Sequence, residues 1–308
     1  MLKLQRVSKT FNHGTVNEKK VLHEINLELN EGDFVTIIGG NGAGKSTLLR
    51  LITGIYMPDK GSVSIDDIVP FDNPDIKANI AFVPDDLYFT PGATIKKMST
   101  LYKSVYKNFD DERCKELAET FNLDMNRPIT TFSKGMKRQA ATLLALSTKA
   151  EYLLFDETFD GFDPIVRNYV KSIICEDVME RKSTAIITSH SLRELEDICD
   201  KLALLHKGGL ILQNDVENLK TSHFKAQLAF TFDYDESLFG GLEYKRFTKS
   251  GSVCSMIIKG DEEKTKDFFE KLNPVICDIL PLTLEEIFAY EMETLEYSFD
   301  ISLTGMED

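Results

Sequence analysis

At 308 residues the chain carries 36 Lys and Arg against 50 Asp and Glu, giving a formal charge of −14 and a pI near 4.9. That balance argues against a protein built mainly to grip a phosphate backbone, because such proteins gather Lys and Arg into a basic footprint; a local basic patch stays open. Apolar residues at 42% and charged ones at 28% are those of a globular protein, long enough for one large domain and a small one, or for two modest ones.

The N-terminus, Met1-Leu2-Lys3-Leu4-Gln5-Arg6-Val7, alternates as a strand does and lacks the long apolar core of a signal peptide. Strands are expected up to about residue 70. Val21 to Leu29 alternates in period two, Glu31-Gly32-Asp33 reads as a turn, and the β-branched run from Asp33 to Ile38 reads as a buried strand. Directly after it comes Gly39-Gly40-Asn41-Gly42-Ala43-Gly44-Lys45-Ser46, a full match to G-x-x-x-x-G-K-[ST]. Thr47 to Ile52 then continues with apolar residues at helical spacing.

Strand, glycine-rich loop and helix in that order make a phosphate cradle. The glycines let successive backbone N-H groups turn inward around phosphate oxygens, and the helix that follows points its positive end at the same anion. Gly39, Asn41, Gly42, Ala43, Gly44 and Thr47 are expected to line the cradle. Lys45 would reach the β- and γ-phosphates, and the Ser46 hydroxyl would hold Mg²⁺. A nucleoside triphosphate is therefore the expected ligand.

From Thr94 to about Leu123 the pattern becomes amphipathic and helical, and a further helix is expected from about Lys134 to Ser147. These form a helical insertion, about 90–148, in a sheet that resumes with the strand Tyr152-Leu153-Leu154-Phe155. A helix from Pro164 to Arg181, a strand from Thr184 to Thr188, a helix from Leu192 to Cys199 and a strand from Leu202 to Leu205 follow; the turn Lys207-Gly208-Gly209 then closes the domain. Strands alternating with helices imply a mostly parallel sheet covered on both faces. The first domain is placed at residues 1–218 and an accessory α+β domain at 219–308. In the latter, strands at Lys225 to Phe232 and Ser252 to Ile258 precede a helix from Asp261 to Leu272, a strand from Val275 to Leu280 and a helix from Thr283 to Met292.

Cys114, Cys175, Cys199, Cys254 and Cys277 are scattered and odd in number, with no C-x-x-C spacing, so reduced thiols are expected rather than a disulfide framework or a zinc site. No stretch approaches the roughly 18 apolar residues of a membrane span, so any membrane role must come through a partner.

Downstream of the cradle, Tyr152-Leu153-Leu154-Phe155-Asp156-Glu157 is an apolar strand ending in two carboxylates. Because side chains alternate at a strand end, Asp156 can face a metal's water shell while Glu157 addresses the attacking water. Upstream of this pair lies Phe132-Ser133-Lys134-Gly135-Met136; downstream lie Gly161-Phe162-Asp163-Pro164 and Thr188-Ser189-His190. In order and spacing, residues 1 to about 215 resemble the ATP-binding subunits of ABC transporters, with these segments standing at the L-S-G-G-Q motif, the D-loop and the switch histidine. The resemblance implies an α/β P-loop NTPase with an ABC-type helical subdomain, which binds and hydrolyses ATP with Mg²⁺. ATP would lie between the cradle of one copy and Ser133 and Gly135 of another. Glu157 would act on the water, Ser46 and Asp156 would hold the metal, and His190 would contact the γ-phosphate. Phe11 would stack on adenine, unless it is simply a core aromatic.

Several positions depart from the family pattern. Asp85, in Phe82-Val83-Pro84-Asp85-Asp86, stands where glutamine is usual; it can still accept hydrogen bonds from a metal-bound water. Lys134 replaces a glycine and either adds a cation near the γ-phosphate or points into solvent. Thr158-Phe159-Asp160 replaces the usual Pro-Thr-Ser. The K-G-M form and the appended C-terminal unit resemble bacterial exporters of the bacitracin, lantibiotic or peptide and multidrug type. That likeness implies a homodimer or heterodimer docked on a separate transmembrane permease, at the inner face of the cell membrane on the cytoplasmic side. Tyr88, Phe89 and Pro91 are either docking residues or packing of the insertion. The alternative is a soluble ABC ATPase of translation or DNA repair, although the paired cassettes, coiled coil or zinc-bearing insertions usual there are absent; no nucleic-acid partner is expected.

Overall fold

Three separate sheets take up the expected strands. The computed structural model describes residues 1–159, 161–192 and 200–294; Asp160, Cys199, the helix expected beyond Leu192 and the acidic C-terminal tail lie outside them. In chain order the elements are β1 (Leu2–Phe11), β2 (Lys19–Leu29), β3 (Phe34–Ile38), α1 (Lys45–Ile52), β4 (Lys60–Ile65), α2 (Pro74–Lys77), β5 (Ile80–Val83), α3 (Ile95–Val105), α4 (Asp111–Thr120), α5 (Lys134–Ser147), β6 (Tyr152–Asp156), α6 (Pro164–Arg181), β7 (Thr184–Ser189), β8 (Lys201–His206) and β9 (Gly209–Asp215). Then come α7 (Val216–Ser222), β10 (His223–Ala229), β11 (Tyr244–Ser250), β12 (Val253–Lys259), α8 (Glu262–Lys271), β13 (Ile276–Pro281) and α9 (Leu284–Thr294). Two compact units divide the chain, Met1–Gln213 and a second that begins at Asn214.

In the first unit the central sheet runs β5-β6-β7-β3-β8-β9, and the pairs β5·β6, β6·β7, β7·β3 and β3·β8 are parallel. Every residue of β3, β6 and β7 is buried. That is why they read as unbroken apolar runs instead of alternating ones. The register sets Ile38 beside Ser189 and Asp156 beside Thr188, so the chain segments leaving β3, β6 and β7 emerge side by side. A crevice outside the carboxyl ends of parallel strands is where open α/β sheets bind ligands.

A second sheet, β2-β1-β4, is antiparallel and distinct from the first. Leu2, Leu4, Val7, Leu22, Ile25, Leu27 and Leu29 turn their apolar face into one cluster with Val35 and Ile37 of β3 and Leu48, Leu49, Leu51 and Ile52 of α1. Alternation announced these strands but not their partners. β9 also goes beyond the sequence reading, which stopped at the Lys207-Gly208-Gly209 turn.

Helices α3, α4 and α5 lie between β5 and β6. Each opens on a side-chain cap: Thr94, Asp110 and Ser133 accept from the N-H groups of Lys97, Arg113 and Met136. A charge network fastens α4 to α6. Arg113 donates from both terminal nitrogens to the Asp177 carboxylate at 2.8 and 2.9 Å, and Arg181 Nε donates to the same group at 3.1 Å.

The second unit carries an antiparallel sheet ordered β11-β12-β10-β13. Phe224, Leu228, Met256 and Ile258 on one face pack with Phe230, Phe239 and Phe269 of α8. β11 escaped the sequence reading for a physical reason. It is an edge strand rich in Lys, Arg and Thr, with a register shift between Lys245 and Thr248, the usual means of blunting an open edge.

Cys114, Cys175, Cys254 and Cys277 are unpaired, and burial pushes the Cys114 thiol up to about 11. Among the described residues no helix is long and apolar enough to cross a membrane, and no cluster of His, Cys, Asp or Glu forms a metal cage.

Candidate active site

The loop between β3 and α1 adopts the backbone its glycines allow. Gly42 and Gly44 have φ of +79° and +110°, in the left-handed region that other residues enter only at a cost. Packing adds a second constraint, since a Cβ on Gly44 would stand 2.7 Å from Leu22 Cδ2 and 3.1 Å from the Val21 carbonyl oxygen. Gly44→Ala is therefore expected to weaken ATP binding about tenfold or more through backbone strain of ~1–3 kcal/mol, read by titration with a fluorescent ATP analogue.

Lys45, buried at the first turn of α1, donates to the carbonyl oxygens of Gly39 and Gly40. Its ammonium also lies 2.9 Å from Glu157 Oε1. The other Glu157 oxygen shares a 2.9 Å hydrogen bond with His190 Nδ1. Lys45, Glu157 and His190 thus form one contiguous set hung from β3, β6 and β7. Burial pushes the Glu157 carboxyl up, but His190 and Lys45 together outweigh it and hold the group below the ordinary 4.5. With the folded value depressed, the stabilisation is complete above about pH 4.5 and fades as pH falls through the folded value. The stability of the unliganded protein relative to Glu157→Gln should follow that course in thermal melts at stepped pH.

The backbone of Glu157 is held as firmly as its side chain. Its φ is +49°, and its N-H donates to the Thr188 carbonyl oxygen at 3.2 Å and to Thr188 Oγ1 at 3.1 Å. Thr188 Oγ1 in turn donates to Asp156 Oδ1 at 2.7 Å. Among the described residues the second oxygen, Asp156 Oδ2, is buried with no hydrogen-bond partner. An orphaned, buried carboxylate oxygen is costly. A hydrated Mg²⁺ beside the Ser46 hydroxyl would satisfy it, so the residues fit that ion.

The remaining expected residues lie in separate places. Ser133 caps α5, accepting from Met136 N at 3.3 Å, and Lys134 is exposed beside it. A Cβ on Gly135 would sit 3.2 Å from the Gly161 carbonyl oxygen, so Gly135 backs onto the Gly161-Phe162-Asp163-Pro164 turn. Phe11 packs edge-on against Tyr56 with ring centroids 5.4 Å apart, an aromatic partner that no motif announced. Tyr88 and Pro91 are exposed and Phe89 is partly buried. Asp85 is ion-paired with Arg138 of α5, whose second terminal nitrogen donates to the Glu157 carbonyl oxygen. Arg138 was missed in the sequence. No local signal in the sequence links it to Asp85, which lies 53 residues earlier.

The ABC transporter family model matches residues 22–160. The ABC transporter ATP-binding protein YthP of Bacillus subtilis (strain 168), itself uncharacterized, is 31% identical over 214 residues, 67% of this chain and 85% of that protein. This chain belongs to the ABC transporter ATP-binding proteins. As an ABC protein it binds ATP and is an ATPase. A second relative, the ABC transporter ATP-binding protein YtrB of the same organism, is 28% identical over 288 residues, 94% of this chain and 97% of that protein, so the likeness extends into the second unit. Among solved structures, a dimeric bacterial ABC transporter cassette superposes with a TM-score of 0.64 at 23% identity, covering 70% of this chain and 99% of that one. The shared fold is that of an ABC cassette.

Proposed function

We propose that this ABC protein splits ATP with Glu157 as the general base and that the work is delivered to a separate transmembrane permease. The observation that carries the reading is the Lys45–Glu157–His190 set closed around the carboxyl ends of β3, β6 and β7. A carboxylate held below its ordinary range is ionised at neutral pH and ready to take a proton from water lined up with the γ-phosphate. Lys45, released from Glu157 by an incoming triphosphate, would contact the β- and γ-phosphates, and His190 would steady the γ-phosphate. Ser46 and Asp156 would hold Mg²⁺, which when bound neutralises charge developing on the phosphates. Phe11, braced by Tyr56, would receive the adenine ring.

Ser133 and Gly135 make no contact with Lys45 or Glu157 in the described contacts, but they open the 14-residue helix α5, whose free N-H groups suit an anion. A second copy of the chain, or a related one, would bring that helix end to the γ-phosphate. Pairing is the test. Light scattering with a non-cleavable ATP analogue should show a dimer that Ser133→Arg abolishes; a wild type that stays monomeric at saturating analogue would remove the two-copy site.

The K-G-M motif and the C-terminal unit favour an exporter at the inner face of a membrane, with peptides or drugs as cargo. Co-purification decides the partner. A stable complex with a multi-helix membrane protein is expected, and retention on RNA or DNA at moderate salt would overturn it.

A further inference from the structure

We propose that Arg138 and Asp85 form a charge pair that fixes the backbone of Glu157 in its working position, with Asp85 serving as the counter-ion of Arg138 rather than as a metal ligand. The proposal rests on the reading of Glu157 as general base. Arg138 lies on α5 and is only 3% exposed, whereas the Asp85 side chain, just past β5, is 54% exposed. A buried guanidinium requires a counter-charge and acceptors for its donors. Asp85 supplies the charge, and the Glu157 carbonyl oxygen accepts from the other terminal nitrogen. An uncharged residue at position 85 would leave that cation uncompensated.

The consequence falls on Glu157. Its left-handed backbone is pinned on the N-H side by Thr188 of β7 and on the carbonyl side by Arg138 of α5. A non-glycine residue persists in that conformation only where its surroundings over-determine it, at a cost of ~1–3 kcal/mol. Arg138 is one of the two determinants. It is also carried on the helix that begins at Ser133 and Gly135, so α5 couples the γ-phosphate half-site of one copy to the general base of the same copy. Arg138 acts through Glu157 and is a positioning residue.

A double-mutant cycle tests this, with phosphate release measured against ATP and against Mg²⁺ for Asp85→Asn, Arg138→Gln and the pair. Each single change should lower kcat about 10- to 100-fold, as small misplacements of a catalytic group do, with KM for ATP within about twofold of wild type. The double variant should be no slower than Arg138→Gln alone, and the Mg²⁺ needed for half-activation should not move. Losses that multiply in the double variant, or a several-fold rise in the Mg²⁺ requirement confined to Asp85→Asn, would overturn the pair. Should Arg138→Gln fold poorly in thermal melts, Arg138→Lys serves instead. A single ammonium cannot span both acceptors, so its kcat should fall at wild-type stability, and full activity there also refutes the proposal. Glu157→Gln measured alongside separates the failures. Full activity in that variant removes the base itself, whereas multiplying losses beside an inactive Glu157→Gln remove only the clamp.

Discussion

Glu157→Gln is expected to slow ATP turnover by about 10²–10⁴-fold while ATP binding survives, the range over which a positioned general base contributes. The substitution keeps the shape and the hydrogen bond to His190 but removes the charge that faces Lys45 at 2.9 Å. Two effects then act in opposite directions. The attacking water loses its proton acceptor, which stops chemistry. Lys45 loses a competitor for its ammonium, which favours the triphosphate. ATP-bound dimers should therefore accumulate, visible by size-exclusion chromatography in ATP and Mg²⁺, while phosphate release nearly ceases. Unchanged turnover in this variant would eliminate Glu157 as the base.

The second large effect is on stability. Asp177→Asn should destabilise the first unit by about 3 kcal/mol, the low end of the ~3–5 kcal/mol seen when one member of a buried ion pair is removed, because Arg113 and Arg181 keep part of their hydration. For a unit of this size that corresponds to a fall in Tm of about 6–12 °C. Asp177 is 3% exposed and is the shared acceptor of both arginines, so its loss removes the carboxylate that both guanidinium groups bond. Kinetics of the surviving folded protein should be nearly unchanged, since the network touches neither Lys45 nor Glu157. Differential scanning calorimetry checks the first statement and phosphate release the second.

What the sequence disclosed about the fold and the site follows the range over which each signal acts. The cradle is local, so the spacing of Gly39, Gly44, Lys45 and Ser46 announced it directly. Helix α5 was legible, at about Lys134 to Ser147, because its apolar positions recur at helical spacing; the Ser133 cap became visible only in the structure. β11 was not, because a polar, bulged edge strand lacks an alternating face. Neither was the division of the strands into a parallel and an antiparallel sheet, since a strand's own pattern says nothing of its neighbours. Phe11 was singled out by its motif position, but Tyr56 beside it belongs to no motif. Arg138 was invisible for a similar reason. Its partners lie 53 residues before it and 19 after, and only folding brings them to one guanidinium.

The side-by-side exit of three chain segments from β3, β6 and β7 has an outcome for how such a catalyst keeps time. Glu157 and His190 directly follow strands whose every residue is buried, and Lys45 opens the helix that follows the third such strand. Under the proposed two-copy reading, Ser133 and Gly135 on α5 of a second molecule would complete the cage. On that reading firing is scheduled by arrival, and because α5 also carries Arg138, which donates to the Glu157 carbonyl oxygen, a pull on the helices between β5 and β6 would reach the reaction centre through that contact.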